Sequence, residues 1–116
     1  MVKFFTYGTF RKGECRHSIL QSFKPVFIKT ITTAPQYKLF DLGSFPGMAK
    51  GNKVVVGELY ELPEEALTVF DGIEGHPVFF KRAEIKLVDG SYAIGYIYPH
   101  ESNDEIMSGD WVKGIL

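Results

Sequence analysis

Glycine and proline cut this chain into short pieces, and that constrains its fold more than any other feature. Twelve Gly and six Pro are spread along 116 residues, and no purely apolar run exceeds four. Proline ends a helix or leaves a sheet ladder and glycine marks turns and bulges, so the pattern favours short strands over long helices. A bilayer-spanning helix needs about 20 apolar residues, far more than any run here supplies. The opening Met1-Val2-Lys3-Phe4-Phe5 is likewise too brief for the apolar core of a signal peptide.

The length of 116 residues suits one domain. A lone cysteine, Cys15, leaves no internal disulfide framework and no multi-thiolate zinc site, so the core must come from side-chain packing. Ten Phe, six Tyr and one Trp, 15% of the chain, can supply that core and exclude a disordered polymer. Thirteen Lys and Arg against 14 Asp and Glu leave a net charge of −1. Such a balance provides no basic field for nucleic acid or an acidic membrane. One free thiol and no export signal make the cytoplasm the default compartment.

Periodicity assigns strands to Val2–Tyr7, Val26–Thr33, Tyr37–Asp41, Val54–Leu62, Phe79–Val88 and Tyr92–Tyr98, the last two joined by an Asp89-Gly90 hairpin turn. Gly43-Ser44-Phe45-Pro46-Gly47 reads as a loop. Helical spacing of Ile19, Leu20 and Phe23 gives a helix over His17–Phe23, stopped by Pro25. A second helix has Pro63 in its first turn, then Glu64 and Glu65 at its positive N-terminus, with Ala66, Leu67, Phe70 and Ile73 as its apolar stripe until Gly72 and Gly75 break it. Ser108-Gly109-Asp110-Trp111 reads as a turn that packs the only Trp. The expected fold is therefore α+β: a small, mostly antiparallel β-barrel with two short helices.

Two places could carry chemistry. In Tyr7-Gly8-Thr9-Phe10-Arg11 a glycine directly after a strand lets successive backbone N–H groups converge on an anion such as a carboxylate; an ordinary strand-to-loop turn has the same composition. Glu74 lies between Gly72 and Gly75 at the end of an apolar helix, ahead of Phe79-Phe80. Desolvated there, it would serve as a general base near neutral pH; solvated, it is a turn residue. Asp71, in the helix's last turn, is expected to face water, and Arg11, Lys12 and Arg16 to be solvated surface. The tyrosines at 92, 96 and 98 alternate on one strand face and read as core rings. His17, His76 and His100 do not recur at metal-ligand spacing, so no metal site is expected.

These motifs in this order resemble the gamma-glutamylcyclotransferase-like family, closest to its gamma-glutamylamine cyclotransferase branch. Tyr7-Gly8-Thr9-Phe10-Arg11-Lys12-Gly13 with His17 matches the N-terminal pattern, with Phe10 in place of the usual leucine. Val56-Gly57-Glu58-Leu59-Tyr60 resembles the family's central strand, and Phe70-Asp71-Gly72-Ile73-Glu74-Gly75 the stretch that carries its glutamate. Phe80 stands where many members have tyrosine, and Arg16 where the branch commonly has asparagine. The resemblance implies a barrel-like α+β fold with no metal or organic cofactor. It implies that the α-amine of a small γ-glutamyl substrate attacks its own side-chain carbonyl, releasing 5-oxoproline and an amine. Glu74 would be the general acid/base, and Tyr7, Gly8, Thr9 and Phe10 would bind the substrate. The alternative from another class is a non-catalytic small-ligand-binding protein using the same pocket.

Overall fold

The computed structural model describes residues 1–114 and contains seven strands and three short helices. In chain order these are β1 (Val2–Thr6), α1 (His17–Gln21), β2 (Val26–Thr32), β3 (Tyr37–Asp41), β4 (Pro46–Lys50), β5 (Val56–Leu62), α2 (Ala66–Glu74), β6 (Lys81–Lys86), β7 (Tyr92–Ile97) and α3 (Trp111–Gly114).

β1 is the centre of the molecule. It pairs antiparallel with β5, Val2 opposite Leu62 through Thr6 opposite Glu58, and parallel with β7 at Phe4 and Ile94. Successive strand residues point to opposite faces, and here both faces are buried: Phe4 and Phe5 are each 1% exposed. Phe4 joins Phe10, Leu20, Leu67, Phe70 and Tyr96 in a core beneath α1 and α2. Phe5 joins Leu39, Met48, Leu59, Ile85 and Trp111 in a second core against β3 and β4. Gly57 of β5 has no side chain because a Cβ there would fall 2.5 Å from the Phe5 ring.

The strands divide five and two, in the orders β2-β5-β1-β7-β6 and β3-β4, instead of running round the closed barrel that the sequence suggests. The α+β class and the mostly antiparallel pairing hold. Pro35 separates β2 from β3, so β3 leaves the main ladder and pairs with β4. The edges of the larger sheet, β2 and β6, meet where Thr33 bridges Leu87, flanked by the bonds Ala34 N–H to Lys86 O (2.9 Å) and Val88 N–H to Thr32 O (3.0 Å).

β4 departs from the sequence reading, which leaves Pro46 and Gly47 in a loop. Proline is admissible as the first residue of an edge strand. Gly47 is required by packing, since a Cβ there would lie 2.8 Å from Leu42 and from Tyr98. The Ser108–Trp111 turn also leads into a third helix, α3. No helix among the described residues is long and apolar enough to cross a membrane.

Candidate active site

Glu74 is the last residue of α2, and its position follows from local rules. Pro63 precedes the helix, Leu67 and Phe70 are buried on its inner face, and Gly75 ends it with a left-handed φ of 67°. The N–H of Gly75 bonds back to the Asp71 carbonyl. The helix thus delivers Glu74 into a small cleft between β1, the loop after it, and the turn entering β4. Tyr7, Gly8, Thr9 and Phe10 line this cleft with Glu74, together with Arg16, Phe45, Pro46, Phe80 and Tyr96. The two regions singled out in the sequence, 66 residues apart by numbering (74 against 8), therefore share one cavity.

Desolvation dominates the electrostatics. Burial pushes the Glu74 carboxyl up to about 7 from 4.5, and the nearby Arg16 guanidinium opposes the rise without cancelling it. Arg16 is thus a wall of the cleft rather than free surface. A carboxyl that ionises near neutrality can both take and return a proton at working pH.

The loop is anchored at both ends. The Tyr7 hydroxyl donates to the Tyr96 carbonyl (2.8 Å) and accepts from the Met48 N–H (3.1 Å), and burial raises its pKa far above the ordinary phenol value. Its oxygen is committed to the scaffold, so Tyr7 bolts the loop to β7 and β4. Arg11 N–H closes a turn onto Gly8 O at 3.0 Å, and Arg16 N–H reaches Thr9 O at 2.9 Å. The N–H groups of Gly8, Thr9 and Phe10 have no acceptor among the described residues. Three successive unpaired amides beside a cleft suit an anion. The helix that follows has only five residues and adds little dipole, so the amides carry this capacity.

Gly8 has a steric reason as well. A Cβ at this position would lie 2.7 and 2.9 Å from Cγ and Cδ of Pro46, a rigid ring. Gly8→Ala is therefore expected to displace the loop, costing about 1–3 kcal/mol as overpacking does. It should weaken binding of any anion held there, which titration of the variant against the wild type would measure.

Several side chains sit elsewhere than their sequence suggests. Asp71 does not simply face water: it accepts from Tyr96 Oη at 2.7 Å and pairs with Arg82 at 3.3 Å. Tyr96 is 3% exposed and reaches the cleft, whereas Tyr92 on the same strand is 54% exposed and no core ring. Arg11 is the largest departure. It is 7% exposed and bonded to Glu58 and Asp110. Nothing local signals this, because its partners are 47 and 99 residues away. His76 accepts the Arg82 N–H through Nδ1 at 2.9 Å and does not line the cleft, and Cys15 is exposed.

The family model for gamma-glutamyl cyclotransferase, AIG2-like proteins matches residues 4–113. The chain belongs to that family. A Vibrio cholerae relative, described provisionally as a gamma-glutamylcyclotransferase, is 38% identical over 113 residues and covers 96% of each chain. The gamma-L-glutamyl-butirosin B gamma-glutamyl cyclotransferase of Niallia circulans is 30% identical over 121 residues, covering 96% of this chain and 76% of its own. Among solved structures, a uropathogenic E. coli-specific protein superposes with a TM-score of 0.85 at 25% identity, covering 97% of this chain and 93% of its own. Family membership supports a cyclotransferase-type activity in general, and Glu74 and the Tyr7–Phe10 loop both fall inside the matched span.

Proposed function

We propose that this chain is a gamma-glutamyl cyclotransferase that converts a small γ-glutamyl amine or peptide to 5-oxoproline and a free amine, with Glu74 as general acid/base. The observation that carries the reading is the shared cleft: one partly buried carboxylate faces a loop with three unpaired backbone amides. The unpaired N–H groups of Gly8, Thr9 and Phe10 receive the substrate's α-carboxylate, which folds the γ-glutamyl group back on itself. Nucleophile and electrophile then belong to one bound molecule, the arrangement in which orientation contributes most.

Glu74 takes a proton from the α-ammonium group. The freed amine attacks the γ-carbonyl carbon, closing a five-membered ring. The bond from that carbon to the leaving nitrogen breaks as Glu74 returns the proton to it, and the second proton of the ring nitrogen passes to the released amine, which departs as an ammonium ion. A single carboxyl that ionises near 7 fits both transfers. Phe45 and Phe80 limit water around it, which maintains its desolvation. Residues 1–116 act as one domain in this reading. The setting is cytoplasmic, in keeping with the exposed free thiol of Cys15.

Incubating the protein with a mixed γ-glutamyl library and following 5-oxoproline by mass spectrometry tests the proposal. The expected result is 5-oxoproline with an equimolar amine. Saturable ligand binding without 5-oxoproline would replace the enzyme with a non-catalytic binding protein using the same cleft.

A further inference from the structure

Three charged side chains are buried behind the Tyr7–Phe10 loop, outside the cleft. The Arg11 guanidinium donates from Nη1 to Asp110 Oδ1 at 2.8 Å and from Nε to Glu58 Oε2 at 3.4 Å. The side chains of all three are 11% exposed or less. Glu58 also accepts the Lys12 N–H (2.9 Å) and the Tyr60 hydroxyl (2.8 Å), and Asp110 accepts the Val112 N–H (3.1 Å). One cation is thus held between two carboxylates, with the remaining acceptor oxygens partly occupied by other donors.

Burying such a set gains little stability over apolar side chains of the same volume, because desolvation offsets the attraction. What the set does fix is geometry. Arg11 closes the turn whose N–H bonds to Gly8 O, and Lys12 follows it onto Glu58. The neighbouring Trp111 donates from Nε1 to Glu14 Oε1 at 2.9 Å, so the C-terminal turn grips the same loop a second time. Arg11 itself does not line the cleft.

We propose that Arg11, held by Glu58 and Asp110, is the positioning residue that sets the Gly8, Thr9 and Phe10 amides for the substrate's α-carboxylate. Arg11 touches no substrate. Its fork spans β5 on one side and the C-terminal turn on the other, and the loop takes its shape from that span. Lysine keeps the charge but cannot bridge two carboxylates in this geometry. The inference rests on the cyclotransferase reading above.

The test compares two γ-glutamyl anilides, one with the free α-carboxylate and one with that group as a carboxamide. The readout is the ratio of their kcat/KM values. Asp110→Asn and Arg11→Lys are expected to lower this ratio at least tenfold, through a raised KM for the carboxylate substrate, with Arg11→Lys retaining more of it than Arg11→Met. Arg11→Met strands two buried carboxylates and can fail to fold. The triple change Arg11→Met, Glu58→Gln, Asp110→Asn removes all three charges and gives the same readout if it folds as judged by circular dichroism. Parallel losses on both substrates, or an unchanged ratio, would overturn the positioning role while leaving the proposed function standing. A wild-type protein that forms 5-oxoproline neither from the anilides nor from the mixed γ-glutamyl library would overturn both.

Discussion

Glu74→Gln is expected to lower 5-oxoproline formation by about 10²–10⁴-fold, the usual contribution of a general acid/base, while the fold persists. The amide cannot accept the α-ammonium proton, yet it fills the same volume beside Arg16 and Phe80. In the wild type, kcat/KM should rise with pH through an apparent value of about 7, where Glu74 loses its proton. The residual activity of the variant should lack that limb. Stability should move the opposite way. Unfolded, Glu74 ionises near 4.5; folded, it ionises near 7. Between these values the folded state binds a proton that the unfolded state has lost, so the wild type becomes less stable as pH rises through this window, and above pH 7 the penalty is complete. Glutamine carries no such penalty. Glu74→Gln should therefore be more stable than the wild type at pH 8 by about 1–3 kcal/mol, with the gap closing toward pH 5. Urea midpoints at the two pH values measure it. A variant of equal stability at pH 8 would show that Glu74 is not desolvated, and unaltered turnover would remove its catalytic role.

Phe70→Ala is expected to be the most damaging single truncation, costing about 3–5 kcal/mol. The ring is 0% exposed and lies 5.1 Å from the Phe4 ring, 4.7 Å from Phe10 and 5.7 Å from Phe23. It joins the central strand, the Tyr7–Phe10 loop and α2 in one contact set. The consequence is functional as well as structural, because Phe10 belongs to the loop and Glu74 to the same helix as Phe70. Denaturant unfolding should show a lower midpoint at an unchanged m-value. At temperatures where the variant remains folded, KM should rise more than for a surface ring such as Phe79, which is 43% exposed. A midpoint within about 1 kcal/mol of the wild type would mean that the surrounding rings collapse into the space.

Local pattern carries far in this chain. The two-residue alternation of β6, the Asp89-Gly90 turn that joins it to β7 and the apolar stripe of α2 were all readable, because each depends on neighbours in sequence. The same is true of the placement of Glu74, which follows from a proline before the helix and a left-handed glycine after it. β4 was hidden for the converse reason. Pro46 and Gly47 carry loop composition, and only the approach of Tyr98 and Leu42 explains the glycine there. The barrel expectation failed to foresee the division into two ladders, since strand composition does not state which edges meet.

The sequence by itself determined the α+β class, the family, and the two segments that could hold chemistry. It did so because hydrophobic period, turn residues and motif order are written in adjacent positions. The tertiary structure alone decided that Glu74 is desolvated, that the Gly8 loop faces it, and that Arg11 is interior. Each of these depends on the dielectric and the partners supplied by segments far along the chain. Glu58 and Asp110, 47 and 99 residues from Arg11, turn an arginine with the composition of a surface residue into a buried brace.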